Sequence, residues 1–244
     1  MGSILRRVKE NGFLLILDFD GVLAPIVARP RMARVSRRTR ACLAKCAAGG
    51  RVAVISGRAL ADVRARVNQA GVWYAGNHGA EWRMGKMRGR EKLTRAACAK
   101  LSEARRAFTE LSRCYRGVVV EDKKLTFSVH FRALARRRVA RFSREMRSIS
   151  KQFTNFLDIS EGSEYIFNIR SLESRTKGDA VRLASRCSLA KAVPIYIGDD
   201  ATDEDAFRAL TDGITIRVGR SSKSAAKYYF STRASVDKLL RNLA

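Results

Sequence analysis

Prolines are scarce, three in 244 residues, which leaves no room for a Pro-rich linker, and no repeat or low-complexity tract interrupts the chain. Long apolar runs are missing too. No stretch approaches the roughly 20 consecutive apolar residues that span a bilayer, so no membrane segment is expected. The run Phe13–Leu17 is too short for the core of a secretory leader and ends in acid, and Arg6 stands where a myristoylation signal needs Ser or Thr. The chain therefore reads as cytoplasmic. The five cysteines (Cys42, Cys46, Cys98, Cys114 and Cys187) are odd in number and scattered. Cys42 and Cys46 lie four apart in a helical pattern, with no matching Cys or His pair to complete a zinc site, so they read as reduced, packed thiols.

Acid is also in short supply. Against 49 Lys and Arg there are 23 Asp and Glu, a formal net charge of +26. Such an excess favours anionic partners and steers a phosphorylated substrate inward. The arginines are spread along the whole chain rather than gathered in a tail. The densest run, "ARRRVARFSREMR", puts Arg136, Arg137, Arg141 and Arg144 on one helix side, with no interleaved aromatics and no known nucleic-acid motif. A solvated, Arg-biased surface is the preferred reading over a nucleic-acid partner. Nothing implies a partner chain, and a monomer is favoured.

What is present is a globular composition, 46% hydrophobic and 30% charged. The first third alternates strand and helix: a strand at Phe13–Leu17, a helix over Val35–Ala48, a strand at Val52–Ile55, a helix over about Leu60–Gln69, a strand at Val72–Ala75. The last third resumes the pattern with a helix near Lys177–Cys187, a strand at Pro194–Ile197, a helix from Thr202, a strand at Ile214–Val218 and a terminal helix. Strands separated by helices of this length imply a Rossmann-like, doubly wound parallel sheet.

The middle differs. Leu93, Ala97, Leu101, Ala104, Phe108 and Leu111 recur at helical spacing, as do Val139, Phe142, Met146, Ile149 and Phe153. In "LTFSVHFR", Leu125, Phe127, Val129 and Phe131 alternate with Thr126, Ser128, His130 and Arg132, and in "EYIFNIR" Tyr165, Phe167 and Ile169 oppose Glu164, Asn168 and Arg170, with Ile166 an apolar exception. A small sheet backed by two helices is predicted, its apolar face covered and its polar face open. The expected division is a parallel-sheet core over 1–81 and 173–244, with an α+β cap inserted over 82–172.

Acids gather where the parallel strands end. "LLILDFDGVLAP" sets Asp18 and Asp20 after the first strand, Ser56 ends "VAVISGR", and Asp199 and Asp200 follow "PIYIG", with Asp203 and Asp205 just beyond. A charge at the end of a buried strand needs a partner, a metal or a task. Ligands of open α/β sheets bind at the carboxyl ends of strands near the switch point, so these side chains are expected to converge. Asp18 with Asp199 makes an oxygen-rich site suited to Mg²⁺.

"DFDGVL", "ISGR", a Lys and "GDDATDEDAF", in that order, resemble the motifs of the haloacid dehalogenase-like phosphatases. The resemblance implies that Asp18 is a nucleophile forming an aspartyl phosphate and a Mg²⁺ ligand. Asp20 is then the acid/base with its carbonyl on the metal, Ser56 and Lys177 hold the phosphate, and Asp199 is a metal ligand with Asp200 and Asp203 around it. Within that superfamily, "YAGNHGAEW", "VEDKKLTFSVHFR" and the "IR" of "FNIRS" resemble the trehalose-6-phosphate phosphatases. The expected activity is Mg²⁺-dependent hydrolysis of trehalose 6-phosphate, a small sugar phosphate. Arg58, Asn77, His78, Glu121, Lys123, Arg132 and Asn168 become the expected substrate-binding residues. The chain departs from the family's "E-x-R-P" and its preceding Lys, showing Asn168 and Glu164 at those positions and no Pro. Another ester, of the sucrose 6-phosphate or mannosyl-3-phosphoglycerate type, therefore stays open, as does a non-catalytic sugar-phosphate sensor, against which the intact Asp18, Asp20, Ser56, Lys177 and Asp199 argue.

Overall fold

The computed structural model describes residues 6, 8, 10–27, 29–49, 51–162, 165–188 and 191–244. Two compact units emerge, Met1–Arg90 with Arg175–Ala244, and Glu91–Ser174.

The first unit is built on an eight-stranded sheet in the order β12-β11-β10-β1-β2-β3-β4-β5. Its strands are β1 (Phe13–Leu17), β2 (Arg51–Ile55), β3 (Val72–Gly76), β4 (Glu81–Met84), β5 (Met87–Arg90), β10 (Val193–Gly198), β11 (Ile214–Val218) and β12 (Tyr228–Phe230). From β12 to β3 all neighbours are parallel. The chain runs outward from β1 through β2 and β3, then restarts on the other side of β1 with β10. The β1/β10 seam is thus the switch point, where the carboxyl ends of two adjacent strands diverge to leave a crevice.

β1 is buried along its whole length, as the central strand of a sheet covered on both faces must be, and this is why it reads as unbroken aliphatics. Strand parity sorts its side chains between two cores. Leu15 and Leu17 join Val52, Val54, Ile195 and Ile197 under Leu43 of α1 (Arg37–Gly49), Val63 of α2 (Leu60–Val67) and Leu240 of α7 (Ala234–Leu243). Leu14 and Ile16 join Ala53, Ile55 and Tyr196 under Ala180 and Val181 of α5 (Lys177–Cys187) and Phe207 of α6 (Glu204–Ala209). α2 stops short of Gln69 because Asn68 takes a left-handed C-cap at φ 45°. α5 starts where expected, held by a capping box between Thr176 and Asp179.

Two elements of this unit differ from the sequence reading. Residues 82–90, expected in the insertion, instead form the β4–β5 hairpin, which pairs antiparallel onto β3. Gly85 at φ 61° closes its two-residue turn, a tight connection that suits only neighbouring antiparallel strands. The short edge strand β12 has no counterpart in the expected elements. No helix among the described residues is long and apolar enough to cross a membrane.

The second unit is a four-stranded antiparallel sheet in the order β6-β7-β9-β8, from β6 (Val119–Asp122), β7 (Thr126–His130), β8 (Leu157–Gly162) and β9 (Ile166–Ser171), with helices α3 (Arg95–Arg113) and α4 (Arg136–Ser150). Leu101, Ala104 and Phe108 of α3 and Phe142 and Met146 of α4 pack on Phe127, Val129, Phe167 and Ile169. α3 is capped by Thr94, whose hydroxyl accepts from Ala97 N. α4 has neither a side-chain cap nor an acid in its first turn, so its buried face holds it in place. Phe108 is fully buried, with ring centroids 6.0 Å from Phe127 and 6.3 Å from Phe153. Phe108→Ala is expected to cost about 3–5 kcal/mol in denaturant unfolding of this unit.

The sheet's other face departs from expectation. Thr126, Ser128 and Asn168 are buried rather than open to solvent, and Arg132 lies in the turn after β7 instead of on the strand face. Glu164 falls outside the described residues.

Candidate functional site

Asp18 is the first residue past β1, and its N–H donates to Ile197 O at 2.9 Å. That bond carries the β1/β10 pairing to the strand ends and fixes where the carboxylate emerges. Asp18 Oδ1 accepts from Phe19 N at 2.7 Å. Oδ2 lies 3.0 Å from Lys177 Nζ, the first residue of α5. Lys177 also donates to Asp203 Oδ1 at 2.7 Å.

Asp203 is completely buried, and each of its oxygens has two partners. Oδ1 takes Lys177 and the Tyr196 hydroxyl at 2.5 Å. Oδ2 takes the backbone N–H groups of Asp199 and Asp200, both at 2.9 Å. A carboxylate so saturated braces the loop after β10 and has little capacity left for a ligand. Tyr196, unremarkable in an apolar strand, was not legible as part of this arrangement. Nor was Arg217, which donates to Asp200 O at 3.2 Å and pairs with Glu204 at 3.1 Å behind the same loop.

Asp199 completes the centre. One oxygen each from Asp18, Asp199 and Asp203 lie within 4.8 Å of one another, and Asp199 Oδ1 is buried with no hydrogen-bond partner among the described residues. Three carboxylates face one ammonium. Burial pushes Asp18 up to about 8, against the pull of Lys177 and helped by Asp203 and Asp20. Burial likewise holds Asp199 well above the usual carboxylate range, with the charges of Asp18 and Asp203 adding to it. Burial opposes ionisation of Asp203 as well, but Lys177, Tyr196 and backbone donors overcome it and keep that group below the usual range. Oxygen donors, surplus negative charge and a buried carboxylate oxygen lacking a donor together fit a hard divalent cation, for which Asp18 and Asp199 are the available ligands.

Gly21 shapes the same spot. Its φ is +73°, and a Cβ there would stand 1.9 Å from Asp199 Oδ2. Gly21→Ala is therefore expected to displace Asp199 and weaken the affinity for a divalent cation, tested with Mg²⁺ by titration calorimetry, by about ten-fold or more.

Asp20, two residues after Asp18, has both oxygens engaged by Arg58, Oδ2 at 2.7 Å from Nε and Oδ1 at 2.8 Å from Nη2. Arg58, expected to bind substrate, also donates to Asp62 at 3.0 Å and Pro30 O at 2.8 Å and lies over the Phe19 ring. In this structure its guanidinium is committed to the protein. Ser56, at the end of β2, is buried, its hydroxyl accepting from Arg58 N at 3.2 Å. Its carbonyl accepts from His78 N at 3.0 Å, and Arg58 O accepts from Asn77 N at 2.7 Å. The Asn77 amide donates to Glu81 at 2.9 Å, so this side chain braces its own turn. His78 adopts φ 57° and lays its ring where a Cβ on Gly57 would meet it at 2.5 Å.

In the second unit, Glu121, Ser128, Asn168 and Ser160 face one another in register across β6, β7, β9 and β8. Lys123 Nζ donates to Ser128 Oγ at 2.7 Å, which donates to Asn168 Oδ1 at 2.9 Å. Glu121 lies 2.8 Å from His130 Nε2 and 3.8 Å from Lys123. Ser128 and His130 were legible only as members of a polar face.

A family model described as trehalose-phosphatase matches residues 16–236. The chain is 37% identical to a trehalose-phosphate phosphatase of Mycobacterium tuberculosis, over 94% of this chain and 61% of that protein. It spans 51% to 61% of the length of the mycobacterial relatives it matches. The solved C-terminal domain of a Candida albicans trehalose-6-phosphate phosphatase superposes with a TM-score of 0.86 at 20% identity, over 99% of this chain and 95% of that one. A haloacid dehalogenase-like hydrolase of Bacteroides thetaiotaomicron gives 0.64 at 14% identity, over 95% and 99%. At these identities the two structures establish the fold alone, an α/β sheet of haloacid dehalogenase type.

Proposed function

Because the chain belongs to the trehalose-phosphatase family, we propose that it hydrolyses trehalose 6-phosphate to trehalose and inorganic phosphate through an aspartyl phosphate on Asp18. One observation carries this reading above the others. Asp18 is held on Lys177 at the switch point, beside an Asp199 oxygen that has no donor among the described residues. A carboxylate nucleophile must meet a phosphate dianion, and that approach needs fixed positive charge.

In the first step an Asp18 oxygen attacks phosphorus in line and the bond from phosphorus to the sugar oxygen breaks. Asp20 gives its proton to the departing alkoxide. In the second, water attacks the same phosphorus, Asp20 takes the water's proton, and the bond to Asp18 breaks to release phosphate. Lys177, buried between Asp18 and Asp203, stays charged: burial opposes this, but the two carboxylates outweigh it. It therefore supplies a permanent cation to the phosphoryl oxygens, and the Ser56 hydroxyl supplies a donor. Arg58 fixes Asp20 by a two-point grip, and an arriving phosphate competes for the same guanidinium, which would release Asp20 for proton transfer. A Mg²⁺ ion held by Asp18 and Asp199 would supply Lewis-acid charge neutralisation.

Lys123, Glu121, Arg132 and Asn168 of the second unit are assigned to the sugar. Asn168, standing where the family usually has Glu, favours keeping a related glycosyl phosphate of the sucrose 6-phosphate or mannosyl-3-phosphoglycerate type as the second reading. The test is phosphate release from a panel of sugar phosphates with Mg²⁺. Selective hydrolysis of trehalose 6-phosphate is expected; equal rates across small phosphomonoesters would overturn the assignment.

A further inference from the structure

The buried row on the second unit's sheet has a direction. A lysine ammonium can only donate, so at 2.7 Å Ser128 Oγ is the acceptor and Lys123 the donor. The hydroxyl still carries its own hydrogen, which needs an acceptor because Ser128 is 1% exposed. Asn168 Oδ1, 2.9 Å away, is that acceptor. The reverse setting of the amide would bring Nδ2 to a hydroxyl already receiving a donor and leave the serine hydrogen with no partner in this row. Ser128 therefore fixes which end of the Asn168 amide is used up internally.

From this we infer that Ser128 is a positioning residue that turns Asn168 into a hydrogen-bond donor toward the sugar. The proposal rests on the trehalose 6-phosphate reading above. A carboxylate at this position could only accept; with Asn168 Oδ1 taken by Ser128, the amide's other end, Nδ2 with its two hydrogens, is directed away from the serine. Lys123, on the other side of Ser128, is donor-only as well. Glu121, the row's acid, lies against His130. This part of the face therefore selects a ligand by lone pairs: a sugar oxygen that accepts, rather than a hydroxyl that must donate.

Substrate analogues separate the two. A hydroxyl both donates and accepts, a fluorine in its place only accepts, and a hydrogen does neither. The experiment measures kcat and KM for trehalose 6-phosphate and for analogues with each hydroxyl of the unphosphorylated glucose changed in turn to fluorine or hydrogen. At the hydroxyl that meets Asn168, the fluoro analogue is expected to keep a kcat/KM about five-fold above the deoxy analogue, carried in KM. Ser128→Ala should shrink that gap to nothing and raise KM for the parent substrate, and Ser128→Thr, which keeps the hydroxyl, should restore both. If Ser128→Ala does not fold, Asn168→Asp serves instead, since an acceptor-only side chain should bring the fluoro analogue level with the deoxy one. Fluoro and deoxy analogues of equal kcat/KM at every position, with trehalose 6-phosphate still selected over p-nitrophenyl phosphate, would overturn the inference and leave the proposed function standing. Loss of that selectivity in the unmodified enzyme would instead remove the function, and the inference with it.

Discussion

Asp18→Asn is expected to abolish phosphate release, by at least about a thousand-fold in kcat, because an amide oxygen cannot form the acyl phosphate. The same variant should be more stable than the parent when divalent cations are chelated. Burial raises Asp18 from 3.8 to about 8, so between those values the folded chain holds a proton that the unfolded chain has released. Stability then falls as pH rises through that window. Asn in the same place removes the Asp18 share of this dependence and leaves that of Asp199, which burial also holds well above the usual carboxylate range. Thermal unfolding in EDTA from pH 4 to pH 8 should show the parent losing stability along that range and the variant losing distinctly less. A parent curve that rises instead would mean Lys177 already satisfies Asp18, and the case for a divalent cation at this site would weaken. Activity retained in the variant would remove the nucleophile.

Asp203→Ala should have the largest effect on folding. The change deletes the acceptor of Lys177, of Tyr196 and of two backbone N–H groups at once, and Lys177 and Tyr196 are both buried. Removing one partner of a buried ion pair typically costs about 3–5 kcal/mol, since the other charge is left behind uncompensated. The loss should appear in denaturant unfolding with EDTA present. That condition matters, because it separates two roles for the residue. Were Asp203 chiefly a metal ligand, its removal would relieve repulsion in the chelated protein and cost little. A large loss without metal identifies it as the brace of the Asp199–Asp200 loop.

How much of this could be read in advance depended on the kind of interaction. The parallel strands β1, β2, β3, β10 and β11 were legible because a sheet covered on both faces favours short apolar runs: Phe13–Leu17 is apolar throughout, and Ile214–Val218 is apolar at three positions of five. The helix at Lys177–Cys187 was placed by the alternation of strand and helix, and the cap that starts it, Thr176 with Asp179, is local in sequence. The β4–β5 hairpin was not, because "EWRM" and "MRGR" are short and polar and become strands only by pairing with β3. The polar side of the second unit's sheet was read with the correct alternation but the wrong solvent exposure, since parity says which side a residue faces and not what covers that side.

The site divides along the same line. Sequence alone placed Asp18, Ser56 and Asp199 at the carboxyl ends of strands, because strand ends follow from apolar patterning and the motifs lie directly on them. It also showed closely spaced aspartates at two of those strand ends and arginine spread along the whole chain. Only the tertiary structure decided how the carboxylates share their work: Asp203 saturated by four donors, Asp20 gripped by Arg58, Asp199 left with an oxygen unbonded, and Ser128 joined to Lys123 and Asn168. Those outcomes depend on distances between side chains, several of them 26 to 40 positions apart in sequence, where a change of an ångström makes or breaks a hydrogen bond. Periodicity along a chain carries no such information.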